Sequence, residues 1–254
     1  MNDFNRGYAR SIPADRADMS VDAGLRSFML GVYNKVALGL VLSAALAYLT
    51  GAFPPIRDLM YATQVGADGV TRIAGMTVLG MIVAFAPLGL MLISGFAMRN
   101  PTPRSSGILY WTLVSLIGAS LGTVVLVYTE AAIFQTFLIT ATAFGGLSLF
   151  GYTTKKDLTG FGSFLIIGLI GIVIASLVNI FLKLPAISMI VNVLGVFIFA
   201  GLIAYDTQRL KMTYYALEND HVGQGVATNY GALSLYLNFI NLFQFLLALF
   251  GDRR

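Results

Sequence analysis

A chain of 254 residues that is 57% hydrophobic and only 11% charged cannot hide its apolar surface in one soluble core. An ordinary soluble domain carries roughly 25% charge, and a mean hydropathy of +0.79 points the same way. The lack of cysteine excludes disulfides, a thiol nucleophile and thiolate metal sites; the single histidine, His221, excludes a multi-histidine metal site; and the net charge of +4 sits mainly in loops and tails, which reads as a topology signal and not as a nucleic-acid face.

Residues 1–31 are polar, with Asp3, Asp15, Asp18 and Asp22 among arginines, and are expected to form a flexible cytoplasmic tail. Ala45-Leu46-Ala47 matches a signal-peptidase pattern, but it lies inside an apolar run and the tail is too long and acidic for an n-region. A signal anchor is the expectation. A bilayer core takes roughly 20 apolar residues per helix. Runs of that kind cover 32–53, 73–98, 107–128, 131–151, 161–182, 187–208 and 229–250. They are apolar on every side instead of alternating, which argues against a transmembrane β-barrel. The expected fold is therefore all-α and polytopic, with seven transmembrane helices in a domain over 32–250 and a short C-terminal tail, 251–254.

Local features refine this outline. Pro87 lies in the middle of the second run and should kink that helix. Gly118-Ala119-Ser120-Leu121-Gly122 fits the small-xxx-small pattern of close helix packing. Only Thr129 and Glu130 separate the third and fourth runs, so a tight hairpin or a shift of the helix ends is expected there.

Basic residues in short loops orient a membrane protein. With the amino end inside and seven crossings, Arg6, Arg10, Arg16, Arg26, Lys35, Arg99, Arg104, Lys155, Lys156, Arg209 and Lys211 lie inside, eleven in all. Arg57, Arg72, Lys183, Arg253 and Arg254 lie outside, which is five. The amino end is accordingly expected in the cytoplasm and the carboxyl end outside.

Ionisable groups within or at the ends of spans are candidates for function, because an unpaired charge in hydrocarbon is costly. Asp206 closes the sixth run and Arg99 the second, at the same predicted boundary, so the two could pair. Arg209, one helical turn beyond Asp206, is the ordinary surface alternative. At ~100° per residue, Asn192 falls within about 40° of Asp206, on one stripe with Gly195 and Phe199. The seventh run carries Ser234, Asn238, Asn241 and Gln244, of which the first three share about 60° of arc. This face should turn inward and hydrogen-bond across helices, as structural glue or as a polar ion pathway. Enzyme signatures are missing: there is no phosphate-binding loop, nucleophile elbow or zinc-binding helix motif, and only one intramembrane aspartate. No catalytic residue, metal site or cofactor is expected.

At these residues the chain resembles bacterial members of the Bax inhibitor-1 (transmembrane Bax-inhibitor-motif) family. The resemblance runs from about residue 30 to 250. It rests on Phe144-Gly145-Gly146-Leu147-Ser148-Leu149-Phe150-Gly151-Tyr152-Thr153-Thr154-Lys155-Lys156-Asp157-Leu158, on Tyr205-Asp206-Thr207-Gln208, and on Ala232-Leu233-Ser234-Leu235-Tyr236-Leu237-Asn238-Phe239-Ile240-Asn241-Leu242-Phe243. It implies an inner-membrane protein with the last helix at the centre of six others, and a leak pathway for calcium or other cations. In that scheme two aspartates share a proton and latch the pore, and an arginine at the end of the second helix engages them. Asp206 matches the first aspartate and Arg99 the arginine. Asn238 stands where the second aspartate would be.

An amide does not titrate with a carboxylate, so the coupled behaviour of a carboxylate pair is absent. The expectation is an ionised Asp206 held by Arg99 and Asn238, a closed state, and a leak less acid-sensitive than in di-aspartyl relatives. Another branch of the family implies a different role: modulation of a membrane-anchored AAA protease of the FtsH type, through the amino-terminal tail.

Overall fold

A computed structural model of the protein describes residues 22–65 and 71–254. Residues 1–21, most of the expected tail, lie outside them, as does any protease contact made through that segment. Helix α1 spans Ala23–Ala52 and so starts well before the expected residue 32. Asp22 caps it, its Oδ1 accepting from the Leu25 amide at 2.9 Å. Leu25, Phe28, Met29 and Val32 then form a buried stripe at helical spacing. A turn with one apolar face suffices for a packed helix, whereas a hydropathy window looks for apolarity all round.

A short helix α2, Pro54–Met60, leads into an antiparallel hairpin of β1, Tyr61–Val65, and β2, Thr71–Met76. The hairpin corrects the expected second span, whose first residues, from 73, belong to β2. Ile73, Ala74 and Met76 merge with the following helix in hydropathy, which hides the break. Helix α3, Val78–Ala97, begins only after Thr77, whose hydroxyl accepts from the Gly80 amide and donates to the Leu59 carbonyl. Pro87 lies within it, so one backbone hydrogen bond is missing there.

The third span is split into α4, Pro103–Ser120, and α5, Gly122–Val127. Its small-residue motif serves packing within the bundle: a Cβ on Gly118 would stand 2.6 Å from the Ser43 Cα of α1. Tyr128 and Thr129 then turn the chain into α6, Glu130–Thr153, which makes the expected tight hairpin. The carboxyl end docks on the same turn, the Thr129 amide donating to the Asp252 carbonyl and the Arg254 amide to that of Val127.

Helices α7, Thr159–Leu182, α8, Pro185–Ala216, and α9, His221–Phe250, complete the bundle. All seven long helices are apolar enough to cross a membrane. Helix α9 is central. Leu235, Tyr236, Phe239, Leu242 and Leu247 are almost fully buried, and its principal neighbours are α1, α4, α6 and α8. The other two spans stand further out than the ring of six expected around the last helix, α3 packing on α4 and α7 on α8. Phe96 of α3 and Phe181 of α7 are 82% and 86% exposed, surface that only lipid would cover favourably.

Helix α8 carries the correction that matters most for the site. The apolar run ends at 208, yet the helix continues to Ala216, because Leu210 and Tyr214 keep one face buried after the other has turned polar. Asp206 therefore lies inside a helix, not at its end.

Candidate functional site

Ser234 and Asn238 stand four residues apart on α9, hence on one face, and that face meets Asp206 of α8. The Ser234 hydroxyl donates to Asp206 Oδ2 at 2.5 Å, and the Asn238 amide donates to the same oxygen at 2.7 Å. The other oxygen, Oδ1, pairs with the Arg209 guanidinium at 2.9 Å. Asp206 is 4% exposed and Asn238 is 6% exposed. A buried carboxylate is tolerated only when its oxygens are satisfied, and here three donors satisfy them. The apolar surroundings are close: Ile203 and Leu210 on α8, and Leu235 and Phe239 on α9, are all buried.

The geometry separates two tasks. Arg209 belongs to the same helix as Asp206 and its side chain is 47% exposed, so this pair ties nothing to a neighbouring helix. Ser234 and Asn238 join α8 to α9, and they are the contacts that must break if the two helices part there.

The α6–α7 loop closes over the next turn of α8. Gln208 accepts from the Leu158 amide and donates to the Lys156 carbonyl, both at 2.8 Å. Lys211 donates to the Tyr152 carbonyl at 3.0 Å and lies over the Tyr152 ring. Helix α6 approaches α8 so closely that a Cβ on Gly151 would stand 2.1 Å from the Ala204 carbonyl oxygen. The segment that carries Asp206 is thus held by α6, α9 and the loop together.

The expected site residues divide accordingly. Asp206, Asn238 and Ser234 meet. Arg99 does not join them: it is exposed, just beyond the end of α3, and makes no ion pair or hydrogen bond with Asp206. The reason is placement, since α3 packs on α4 at the edge of the bundle while Arg209 is one turn away from the carboxylate. Asn241 also departs from expectation, since its amide donates to the Leu237 carbonyl of its own helix at 2.8 Å. Asn192 shares the buried stripe of Gly195 and Phe199, which meets the Phe245 ring of α9, but it sits about 21 Å along α8 from Asp206. It belongs to the opposite end of the bundle. The sequence reading missed Gln208 as a loop clamp, because nothing local shows that residues 154–158 fold back on it. Ser148 was also passed over; its hydroxyl is buried without a hydrogen-bond partner among the described residues.

Among the described residues, no group of three or more histidine, cysteine, aspartate or glutamate side chains could hold a metal ion. Asp206 is the one carboxylate of this cluster, and the Ser234 hydroxyl and the Asn238 amide beside it are neutral donors to it.

Comparison with known sequences places this arrangement in context. The family described as "Inhibitor of apoptosis-promoting Bax1" matches residues 25–254. An uncharacterized protein of Caulobacter vibrioides is 71% identical over 254 residues, covering the whole of both chains. An uncharacterized protein of Rickettsia prowazekii is 40% identical over 97% of this chain and 98% of its own. The inner membrane protein YbhL of Escherichia coli K12 is 39% identical over 91% of this chain and 94% of its own.

Proposed function

The chain belongs to the Bax inhibitor-1 family, and from that premise we propose that it is a cation leak pathway of the bacterial inner membrane, with calcium as a substrate ion and the amino end in the cytoplasm. Its closed state is held by Asp206, Ser234 and Asn238. The observation that carries this reading is the one buried carboxylate oxygen shared by two donors of the central helix. For an ion to pass along α9, the polar face must open, and parting α8 from α9 frees the Asp206 carboxylate to meet a cation. Closed and open states then differ in who satisfies the same charge: two side chains or an ion with its water.

Asn238 also sets the pH response. With no second acid at the latch, no shared proton stands between the closed and open states. The Asn238 amide carries no titratable proton, so the contact it makes is the same at about pH 8 and at about pH 6. The leak is therefore flat with pH in that range.

Calcium uptake into liposomes carrying the purified protein and an enclosed calcium indicator tests the reading. Asn238→Leu removes one donor from the latch and should raise the flux while leaving it flat with pH. A steep pH response in the wild type that disappears in Asn238→Leu would overturn the proposal, as would the absence of calcium flux in both proteins.

A further inference from the structure

At the end of the bundle opposite Asp206 lies a cavity of about 590 Å³ between the α7–α8 turn and the last residues of α9. Lys183 and Arg253 line it, together with Asn179, Ser188 and Asn192, and no acidic side chain does. The turn that presents Lys183 is tightly built. Asn179 accepts from the Leu184 amide at 2.9 Å, donates to the Ser188 hydroxyl at 2.7 Å, and its carbonyl accepts from the Lys183 amide at 2.8 Å. Arg253 is placed independently: its backbone pairs with Tyr128 and its guanidinium lies over the Tyr128 ring, 5.9 Å from the centroid.

Lys183 adopts a left-handed backbone, φ 52° and ψ 36°, and no other non-glycine residue among those described has a positive φ. Glycine fills such a helix end at no steric cost. A lysine there accepts strain and puts a cation at the cavity mouth, which makes sense if the cation is used. Neither cation has an ion-pair partner among the described residues, and the half-buried Asn192 lines the same cavity. Ile180 and Met189, on the two helices flanking the turn, are 64% and 65% exposed and apolar, at the edge of the same cavity.

We propose that this cavity binds the phosphate headgroup of an acidic phospholipid, Lys183 and Arg253 meeting the phosphate and Asn192 donating to it. The acyl chains would run along the apolar surface around Ile180 and Met189. A point-charge lysine and a forked guanidinium suit a phosphate, and an apolar wall next to them suits a lipid more than a free anion. The inference does not depend on the leak reading, since it concerns the other end of the bundle.

The full chain, purified in neutral detergent, is titrated with phosphatidylglycerol, with phosphatidylcholine of the same acyl chains, or with inorganic phosphate, and thermal unfolding is followed. Phosphatidylglycerol should raise the melting temperature saturably and phosphatidylcholine should not. Lys183→Gly and Arg253→Gln should each weaken the apparent affinity for phosphatidylglycerol about five-fold. Lys183→Gly keeps the left-handed turn, so it remains informative if Arg253→Gln fails to fold. Equal stabilisation by both lipids, or unchanged affinity in Lys183→Gly, overturns the proposal. Full reproduction of the effect by inorganic phosphate would overturn the lipid as occupant.

Discussion

The Asn238 amide nitrogen lies 2.7 Å from the Asp206 carboxylate, so the central helix meets the buried acid with a permanent donor. An amide donates at any pH, whereas an acid in its place donates only while it holds a proton. Much of what is expected of this protein follows from that exchange.

Asn238→Asp should convert a pH-independent contact into a pH-dependent one. Two carboxylates at this distance share one proton, held more tightly with α8 and α9 together than apart. The closed state is then intact at low pH and lost as pH rises and the proton leaves. Flux and thermal stability measured across pH should both change with that sign. A flat profile in Asn238→Asp would mean that residues 206 and 238 do not meet in the membrane.

Arg99→Ala and Arg209→Ala separate the expected arginine from the observed one. Arg99 makes no contact with the acid, so its removal should leave stability and flux as in the wild type. Arg209→Ala takes from the buried Asp206 carboxylate the partner of its Oδ1, and should lower stability in thermal or denaturant unfolding more than Arg99→Ala does. A larger loss in Arg99→Ala than in Arg209→Ala would contradict this arrangement.

Gly151→Ala should destabilise the bundle next to the latch. The new methyl would lie 2.1 Å from the Ala204 carbonyl oxygen, and backbone on both sides leaves little room to yield. The expected cost is about 1–3 kcal/mol. Gly145→Ala on the same helix meets nothing within 4 Å and should be neutral or slightly stabilising. Melting temperatures of the two variants, compared side by side, check the contrast.

Acid should loosen the α6–α7 loop before it affects the bundle. Asp157 accepts from the Thr159 amide at 2.8 Å, and hydrogen bonds from the Thr159 side chain and backbone hold its carboxyl below the ordinary aspartate range. A lowered value in the folded state adds stability that is present above the unfolded value and lost as pH falls through the folded one. Protection against hydrogen exchange at residues 154–160, taken relative to the intrinsic exchange rate at each pH, should fall below about pH 4, and Asp157→Asn should remove that fall. An unchanged acid response in Asp157→Asn would sink the assignment.

The membrane class, the seven spans and the polar face of the last helix were legible in the sequence, because each is a one-dimensional property. Hydropathy adds along a run, and the helical period puts Ser234 and Asn238 on one side. The ends of the helices were less legible. A capped or one-sided turn, as at Asp22 and beyond Asp206, packs well without being apolar enough to register, and the β2 strand registers only as part of the helix after it. Which cation meets Asp206 was not decided by pattern at all. Arg99 and Arg209 both satisfy it on paper, and only the placement of α3 at the rim of the bundle removes the first. Likewise Gln208 becomes a clamp, and Lys183 and Arg253 become neighbours, only when helices distant in sequence are packed. Contacts of that kind depend on which apolar faces find one another, and burial in three dimensions decides it.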